Sequence, residues 1–241
     1  MTVYGKDFAA VYDETWFNFS AKAWPFISRV VRKRVPSAST WLDLCCGTGH
    51  LLEILVREGF SITGLDLSPH MLAHARRNAP GAELVRGDVR SFDLGRRFDV
   101  ITCLFDSLNY LTRMRDLMRA FRCARRHLAG NGLFLFDLNT FEGLQDNWCR
   151  VSAGWEASRL TLTETSFDKT RARGRCVITV FAKQGRLYRR FQEEHVQRGY
   201  RREEMDGALE RAGFGFTRYD GRTFRRPQKR SGRLLYVCRR R

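Results

Sequence analysis

A short apolar stretch that runs into a glycine turn constrains the fold of this 241-residue chain most. Residues 41–51 read Trp-Leu-Asp-Leu-Cys-Cys-Gly-Thr-Gly-His-Leu, which predicts a buried strand, a tight turn and a helix that continues to Gly59. Gly47 and Gly49 can adopt backbone angles that side chains forbid. The helix behind them presents unpaired N–H groups to a ligand carboxylate. Asp43 could pair with an ammonium group of the same small ligand.

Strand and helix patterns alternate strictly from this turn to residue 139. The predicted strands are 60–68, 83–89, 98–105 and 133–139, with helical spacing between them. Such alternation predicts a parallel sheet, and the nearly uninterrupted apolar run 98–105 is typical of a strand buried on both faces. Ligands of such sheets bind outside the carboxyl ends of the strands.

The pattern changes after residue 140. Three segments with period-two alternation, 158–168, 174–183 and 187–200, predict an antiparallel insertion. A helix at 203–212 and two last strands, at 214–220 and 234–238, then complete the main sheet as an antiparallel hairpin. The predicted fold class is therefore α/β, with a doubly wound, mostly parallel seven-stranded sheet and a small antiparallel β insertion.

The glycine turn resembles a known motif. Residues 43–49, Asp-Leu-Cys-Cys-Gly-Thr-Gly, resemble the first motif of the class I methyltransferases that use S-adenosylmethionine. The competing nicotinamide fingerprint G-x-G-x-x-G fails because Leu52 stands at the third glycine position. The resemblance implies a Rossmann-like sheet, S-adenosyl-L-methionine as methyl donor and S-adenosyl-L-homocysteine as product.

Acidic residues at three successive strand ends agree with this cofactor. Asp43 would face the methionine ammonium, and Asp66 could accept two hydrogen bonds from the ribose hydroxyls. The resemblance implies that Asp88 accepts a hydrogen bond from the adenine amino group, with the backbone N–H of Val89 facing the ring. The expected cofactor-binding residues are Tyr4, Tyr12, Asp43, Cys45, Gly47, Gly49, Asp66, Leu67, Met71, Gly87, Asp88, Val89 and Leu104.

The two remaining segments also resemble parts of small-molecule methyltransferases. The aromatic residues between Tyr4 and Trp16 resemble an N-terminal lid over cofactor and substrate. The insertion resembles the β extension of amino-sugar and glycine N-methyltransferases, which roofs the active site or makes the oligomer contact. The expected domains are residues 1–140 with 201–241, which include a helical lid at 1–35, and the inserted subdomain 141–200.

Methyl transfer to an amine requires a group that accepts the amine proton. The candidates for this role are Tyr12, Asp106 and His195. The neighbouring Glu193 and Glu194 should raise the proton affinity of His195. The alternative interpretation of His195 is a structural one, in which it is a solvent-exposed residue of its strand. The side chains expected beside the substrate are Asn109, Tyr110 and Trp148. The predicted chemistry needs no metal, unless the acceptor is a catechol.

The charge of the chain leaves a second function open. The net charge is +17, with ten basic residues in 171–202 and nine in 222–241, and such patches attract nucleic acid. The other interpretation of this charge is a codon bias towards arginine, since only six of the 43 basic residues are lysine. An RNA (tRNA or rRNA) methyltransferase is therefore the alternative. The sequence after the fourth strand, Asp-Ser-Leu-Asn, disfavours it because amino-methylating nucleic-acid enzymes carry an Asn/Asp-Pro-Pro-Tyr type motif there. The third possible function is that of a non-catalytic S-adenosylmethionine-binding protein.

The remaining expectations concern the environment of the protein. Seven cysteines without a C-x-x-C pair are typical of reduced thiols in the cytoplasm. No apolar segment is long enough to span a membrane. We expect a cytoplasmic enzyme whose partner is a small-molecule methyl acceptor and which could form a homodimer, with nucleic acid not favoured. Whether nitrogen or oxygen is methylated stays open.

Overall fold

The computed structural model describes residues 3–16, 18–156 and 158–241. The helices are α1 (Lys6–Thr15), α2 (Asn18–Arg34), α3 (His50–Arg57), α4 (Pro69–Asn78), α5 (Met114–His127), α6 (Phe141–Asn147) and α7 (Arg202–Arg211). The strands are β1 (Thr40–Leu44), β2 (Ser61–Asp66), β3 (Glu83–Arg86), β4 (Phe98–Cys103), β5 (Leu128–Asn139), β6 (Val151–Glu156), β7 (Arg159–Asp168), β8 (Arg173–Gln184), β9 (Leu187–Arg198), β10 (Phe214–Asp220) and β11 (Arg233–Arg240).

The main sheet has seven strands in the order β10-β11-β5-β4-β1-β2-β3. Strands β1 to β5 are parallel, and β11 runs antiparallel to both β5 and β10. This topology confirms the predicted fold class. Strand β1 lies between β2 and β4, so its carboxyl end opens at the point where the strand order reverses.

Helices pack on both faces of this sheet. On one face, α5 and α7 cover strands β4 and β5 through residues such as Phe121 and Leu209. On the other, α2, α3 and α4 enclose the fully buried Trp41 of β1. The apolar spacing that predicts these helices is the spacing that buries one side of each. None of the helices in the described ranges is long and apolar enough to cross a bilayer.

The insertion forms a separate antiparallel sheet in the order β6-β7-β8-β9. Three of its strands lie close to the predicted segments, whereas β6 is absent from the sequence prediction. Every described residue of β6 is exposed, so the strand has no buried face that would impose an alternating pattern. Strand β8 buries the apolar face of the sheet through Cys176, Ile178 and Val180.

Helix α1 covers this apolar face. Phe8 and Val11 of the helix pack against the three buried residues of β8 and form a small hydrophobic core of their own. Both contacts lie on one side of the helix, as the aromatic spacing predicts. The N-terminal helix and the inserted sheet therefore enclose the space above the carboxyl ends of β1 and β4.

Candidate active site

One cavity lies at the carboxyl ends of β1 and β4, and we call it the glycine-turn cavity. The loop after β1 and the start of α3 form its floor, and residues of α1 and α2 form its cover. Its walls are Tyr12, Trp16, Phe19, Ser20, Asp43, Cys45, Cys46, Gly47, Thr48, His50, Leu51, Leu104, Phe105 and Ser107. Of the thirteen expected cofactor-binding residues, it brings together five: Tyr12, Asp43, Cys45, Gly47 and Leu104.

Asp43 is the buried acid of this cavity. Its side chain is 4% exposed, and Thr102 Oγ1 donates a hydrogen bond of 2.6 Å to Asp43 Oδ1. Trp41 Nε1 in turn donates to Thr102 Oγ1 at 2.9 Å, so β4 fixes the carboxylate across the sheet. Burial raises the pKa of Asp43 to about 7. Among the described residues, no arginine, lysine or histidine forms an ion pair with this carboxylate, which is therefore suited to a cationic ligand.

The glycine turn depends on both glycines and on Asp66. Gly47 and Gly49 have φ angles of +56° and +87°. A Cβ atom at Gly49 would lie 3.0 Å from the backbone Cα of Ala75, so α3 and α4 could not pack as they do. Asp66 accepts hydrogen bonds from the backbone N–H of Gly47 at 2.9 Å and of Ser68 at 2.8 Å. Each oxygen of Asp66 thus has a backbone partner, and burial raises its pKa.

A second cavity lies between α1, the inserted sheet and the loop after β4. Seven of its thirteen lining side chains are Phe, Tyr or Trp, so we call it the aromatic cavity. Its lining consists of Tyr4, Phe8, Tyr12, Trp16, Phe105, Asp106, Tyr110, Trp148, Thr163, Cys176, Ile178, His195 and Gln197. Tyr12, Trp16 and Phe105 line both cavities, so the two spaces adjoin at these rings.

A chain of hydrogen bonds crosses the aromatic cavity. The hydroxyls of Tyr4 and Tyr110 lie 2.9 Å apart, and Tyr110 Oη lies 3.0 Å from His195 Nδ1. The other ring nitrogen, Nε2, lies 3.7 Å from Glu193 Oε2. With Nε2 protonated beside this carboxylate, Nδ1 accepts the hydrogen bond from Tyr110. Burial raises the pKa of both tyrosines, so their hydroxyls stay protonated at neutral pH.

The environment of His195 corrects the prediction from the sequence. The residue is 3% exposed, so a solvated place on the strand is wrong. Burial lowers its pKa to about 4, so the expected rise in proton affinity is wrong as well. Of the two neighbouring acids, Glu193 alone lies on the same face of β9 as His195. Glu194 points to the opposite face and pairs with Arg175 at 2.8 Å.

Asp106 lies in a strained loop that a buried ion network holds. Phe105 and Asp106 have φ angles of +60° and +50°, and both backbone N–H groups donate to the carboxylate of Asp137. Arg233 pairs with both Asp137 and Asp106, and Gln197 donates to the second oxygen of Asp106. Both oxygens of Asp106 are therefore already hydrogen-bonded within the protein. Asp137 is not among the residues predicted from the sequence, although an acid near the carboxyl end of an apolar strand is a usable signal.

Asn109 does not border the substrate space, contrary to the expectation. Its side chain is fully buried; it donates to the carbonyls of Asn139 and Arg198 and accepts from the backbone N–H of Asn139. These bonds tie the loop after β4 to β5 and β9. The neighbouring candidates Tyr110 and Trp148 do line the aromatic cavity.

The candidates at β2 and β3 lie outside both cavities. Strand β3 is the edge strand, two strands away from β1, and Gly87, Asp88 and Val89 follow it. Asp88 pairs with Arg90, which lowers the pKa of Asp88, and Val89 belongs to the hydrophobic core. The other expected cofactor residues that line neither cavity are Gly49, Asp66, Leu67 and Met71.

Comparison with known proteins shows the class to which this fold and these cavities belong. A family described as a methyltransferase domain matches residues 42–132. A dTDP-3-amino-3,4,6-trideoxy-alpha-D-glucopyranose N,N-dimethyltransferase of Streptomyces venezuelae is 32% identical over 98% of both chains. An S-adenosylmethionine-dependent methyltransferase of Clostridium acetobutylicum has a TM-score of 0.86 at 27% identity over 97% of both chains. An S-adenosylmethionine-bound amino pentose methyltransferase of Micromonospora echinaspora has a TM-score of 0.78 at 27% identity, covering 100% of this chain and 99% of its own.

The chain belongs to the family of class I S-adenosylmethionine-dependent small-molecule methyltransferases. This confirms the resemblance that the glycine turn suggests, and with it the enzyme class and the methyl donor. The relatives favour the small-molecule interpretation over an RNA methyltransferase.

Proposed function

We propose that this enzyme methylates an amine nitrogen of a small molecule, and that an amino sugar linked to a nucleotide is its acceptor. The observation that carries the proposal is the aromatic cavity, which adjoins the glycine-turn cavity at Tyr12, Trp16 and Phe105. The amino-sugar substrates named for two of the relatives support the same acceptor class.

The glycine-turn cavity suits the methionine part of the cofactor. S-adenosylmethionine supplies a methyl group on a positively charged sulfur. Asp43 would hold the ammonium, because a buried carboxylate with a raised pKa gains most from a cationic partner. The backbone after Gly47 and the N-terminus of α3 would hold the carboxylate. Asp66 would bind the ribose from its place beside the turn, and Asp88 the adenine.

The aromatic cavity suits an amine on two physical grounds. An amine attacks only in its neutral form, and a mostly apolar enclosure lowers the pKa of an amine by desolvation. During the transfer, positive charge develops on the nitrogen, and the faces of Tyr12, Trp16 and Phe105 can stabilise it. Among the described residues, no lysine or arginine lines this cavity to oppose that charge.

The hydroxyl chain would handle the proton that leaves the methylated amine. Tyr4 and Tyr110 present their hydroxyls to the cavity, and His195 accepts from Tyr110 at Nδ1. Because burial lowers the pKa of His195 to about 4, the imidazole would hold this proton at Nδ1 only in passing, with the carboxylate of Glu193 3.7 Å from Nε2. Enclosure by α1 and the inserted sheet would exclude water and align the reactants, which in well-aligned cases contributes up to ~10 kcal/mol.

The test offers the enzyme a matched pair of acceptors. Purified protein and S-adenosylmethionine are incubated with a dTDP-linked amino sugar or with the analogue that has a hydroxyl in place of the amine, and products are identified by mass spectrometry. We expect methylation of the amine only. Methylation of the hydroxyl analogue alone would overturn the assignment to nitrogen. If the same preparation binds tRNA and this binding persists at about 0.2 M salt, a nucleic-acid-binding role of the basic surface would be supported.

Three further expectations accompany the proposal. We place the active site between a cofactor domain (residues 1–140 and 201–241) and an inserted subdomain (141–200) that roofs the acceptor. A homodimer through the outer face of the insertion and a cytoplasmic location stay predictions. The exposed Trp155 and Leu187 of the insertion are positions at which a dimer contact could be probed.

A further inference from the structure

The N-terminus of α1 receives its cap from a distant strand. The carboxylate of Glu193 on β9 accepts hydrogen bonds from the backbone N–H of Tyr4 at 2.7 Å and of Gly5 at 2.6 Å, one on each oxygen. Gly5 stands at the N-cap position of α1. A carboxylate at this end also interacts favourably with the helix dipole. Glu193 therefore binds the N-cap backbone N–H as the Glu at the third helical position of a capping box does, but from a distant strand.

The inserted sheet holds α1 at its other end as well. Arg159 of β7, which is 8% exposed, donates to Glu14 at 2.7 Å and to Thr15 at 3.0 Å in the last turn of the helix. Near the first turn, Arg189 of β9 pairs with Asp7 at 2.6 Å. The Arg189 pair is exposed and therefore weak. The side chain of Glu193 is only 13% exposed, so its carboxylate is less screened by water than the Arg189–Asp7 pair.

The residue that Glu193 holds is the residue that begins the hydroxyl chain. Tyr4 has a φ angle of +64°, which a non-glycine residue adopts only when surrounding contacts enforce it. Those contacts are the bond from its N–H to Glu193 and the bond of 2.8 Å from Ser68 Oγ to its carbonyl. In this conformation its ring contacts Tyr12 and its hydroxyl reaches Tyr110. The position of Tyr4 in the aromatic cavity thus depends on a group outside the lining of that cavity.

We propose that Glu193 is a positioning residue for methyl transfer: it fixes the N-terminus of α1 against the inserted sheet and so sets Tyr4 into the hydroxyl chain of the acceptor cavity. The proposal deepens the function given above and rests on it for the role of that cavity. The attachment of α1 itself does not depend on which acceptor is used. Since Glu193 contacts backbone N–H groups, its two bonds require the carboxylate of Glu193 and no particular side chain at residues 4 and 5.

The experiment compares two neighbouring acids on the same strand. Glu193→Gln keeps one acceptor oxygen and loses the charge, and Glu193→Ala removes both bonds. Glu194→Ala is the matched control, because Glu194 is exposed on the opposite face of β9, where it pairs with Arg175. Limited trypsin digestion followed by mass spectrometry reports cleavage after the exposed Lys6, which lies in the first turn of α1.

We expect cleavage after Lys6 to become at least tenfold faster in Glu193→Ala, about as fast as wild type in Glu194→Ala, and intermediate in Glu193→Gln. In methylation assays, Glu193→Ala should raise the acceptor KM and lower kcat, with the KM for S-adenosylmethionine changed much less. Wild-type cleavage in both Glu193 variants would overturn the proposal. Equal loss of activity in Glu194→Ala would overturn it as well.

Two controls separate this proposal from its alternatives. Thermal unfolding followed by circular dichroism reports whether Glu193→Ala is folded. If Glu193→Ala is not folded, the rate of cleavage after Lys6 in Glu193→Gln tests the proposal instead. The digestion needs neither cofactor nor acceptor. Faster cleavage in a protein that methylates no amine would therefore contradict the proposed acceptor and leave the attachment of α1 supported. Amine methylation together with wild-type cleavage in the Glu193 variants would support the proposed acceptor and contradict the attachment of α1 by Glu193.

Discussion

Asp43 should make the affinity for the cofactor depend on pH. Its pKa is about 7 in the free protein because the side chain is buried. If it holds the ammonium of S-adenosylmethionine, binding favours the ionised carboxylate and lowers its pKa in the complex. Acidification of the free enzyme then protonates the group that the ligand needs. The affinity should fall as the pH drops below about 7.

The size of the effect follows from the ionised fraction. For a pKa of about 7, the ionised fraction falls from about one half at pH 7 to about one hundredth at pH 5, roughly 50-fold, or about 2.3 kcal/mol. The amine of the ligand, with an ordinary α-amino pKa of about 7.7–8.0, stays largely protonated over this interval. The dissociation constant should therefore rise roughly 50-fold from pH 7 to pH 5.

Isothermal titration with S-adenosylhomocysteine, which carries the same ammonium and carboxylate, measures this dependence directly. Asp43→Asn should bind more weakly at pH 7 and show a nearly flat profile. Asp168→Asn, at the exposed last residue of β7, should keep the wild-type profile. A flat wild-type profile, or a full decline in Asp43→Asn, would refute the assignment of the ammonium to Asp43.

Three further substitutions test the site. Asp66→Ala should weaken the binding of S-adenosylhomocysteine by about 1.5–3 kcal/mol in the same titration, because the ribose acceptor and the partner of Gly47 N–H are both lost; unchanged affinity would exclude that role. His195→Asn should lower kcat about 100-fold with little change in the cofactor KM, and a normal kcat would remove the hydroxyl chain from the mechanism. Asn109→Ala should lower the free energy of unfolding in urea by about 1–3 kcal/mol, since it leaves buried backbone groups of the loop unpaired; unchanged stability would contradict that structural role.

The order of the elements could be predicted from the sequence because periodicity is a local property. Apolar spacing, the glycines at 47 and 49, and an acid after each early strand defined the parallel sheet and the position of its ligand edge. Pairing between β1 and β4 then aligned Asp43 with Thr102, a partner that no local pattern identifies. Strand β6 escaped prediction because no face of it is buried.

The acceptor site was decided by the tertiary structure. The hydroxyl chain joins Tyr4, Tyr110 and His195, which are far apart in the sequence and meet only because α1 packs against the inserted sheet. Sequence neighbours gave the wrong sign for the pKa of His195, since strand geometry turns Glu194 away and burial outweighs Glu193. Asn109 has the chemistry of a ligand-binding residue, yet it bonds to backbone groups. Local backbone geometry is encoded in adjacent residues, whereas burial and charge environment depend on residues that only the folded chain brings together.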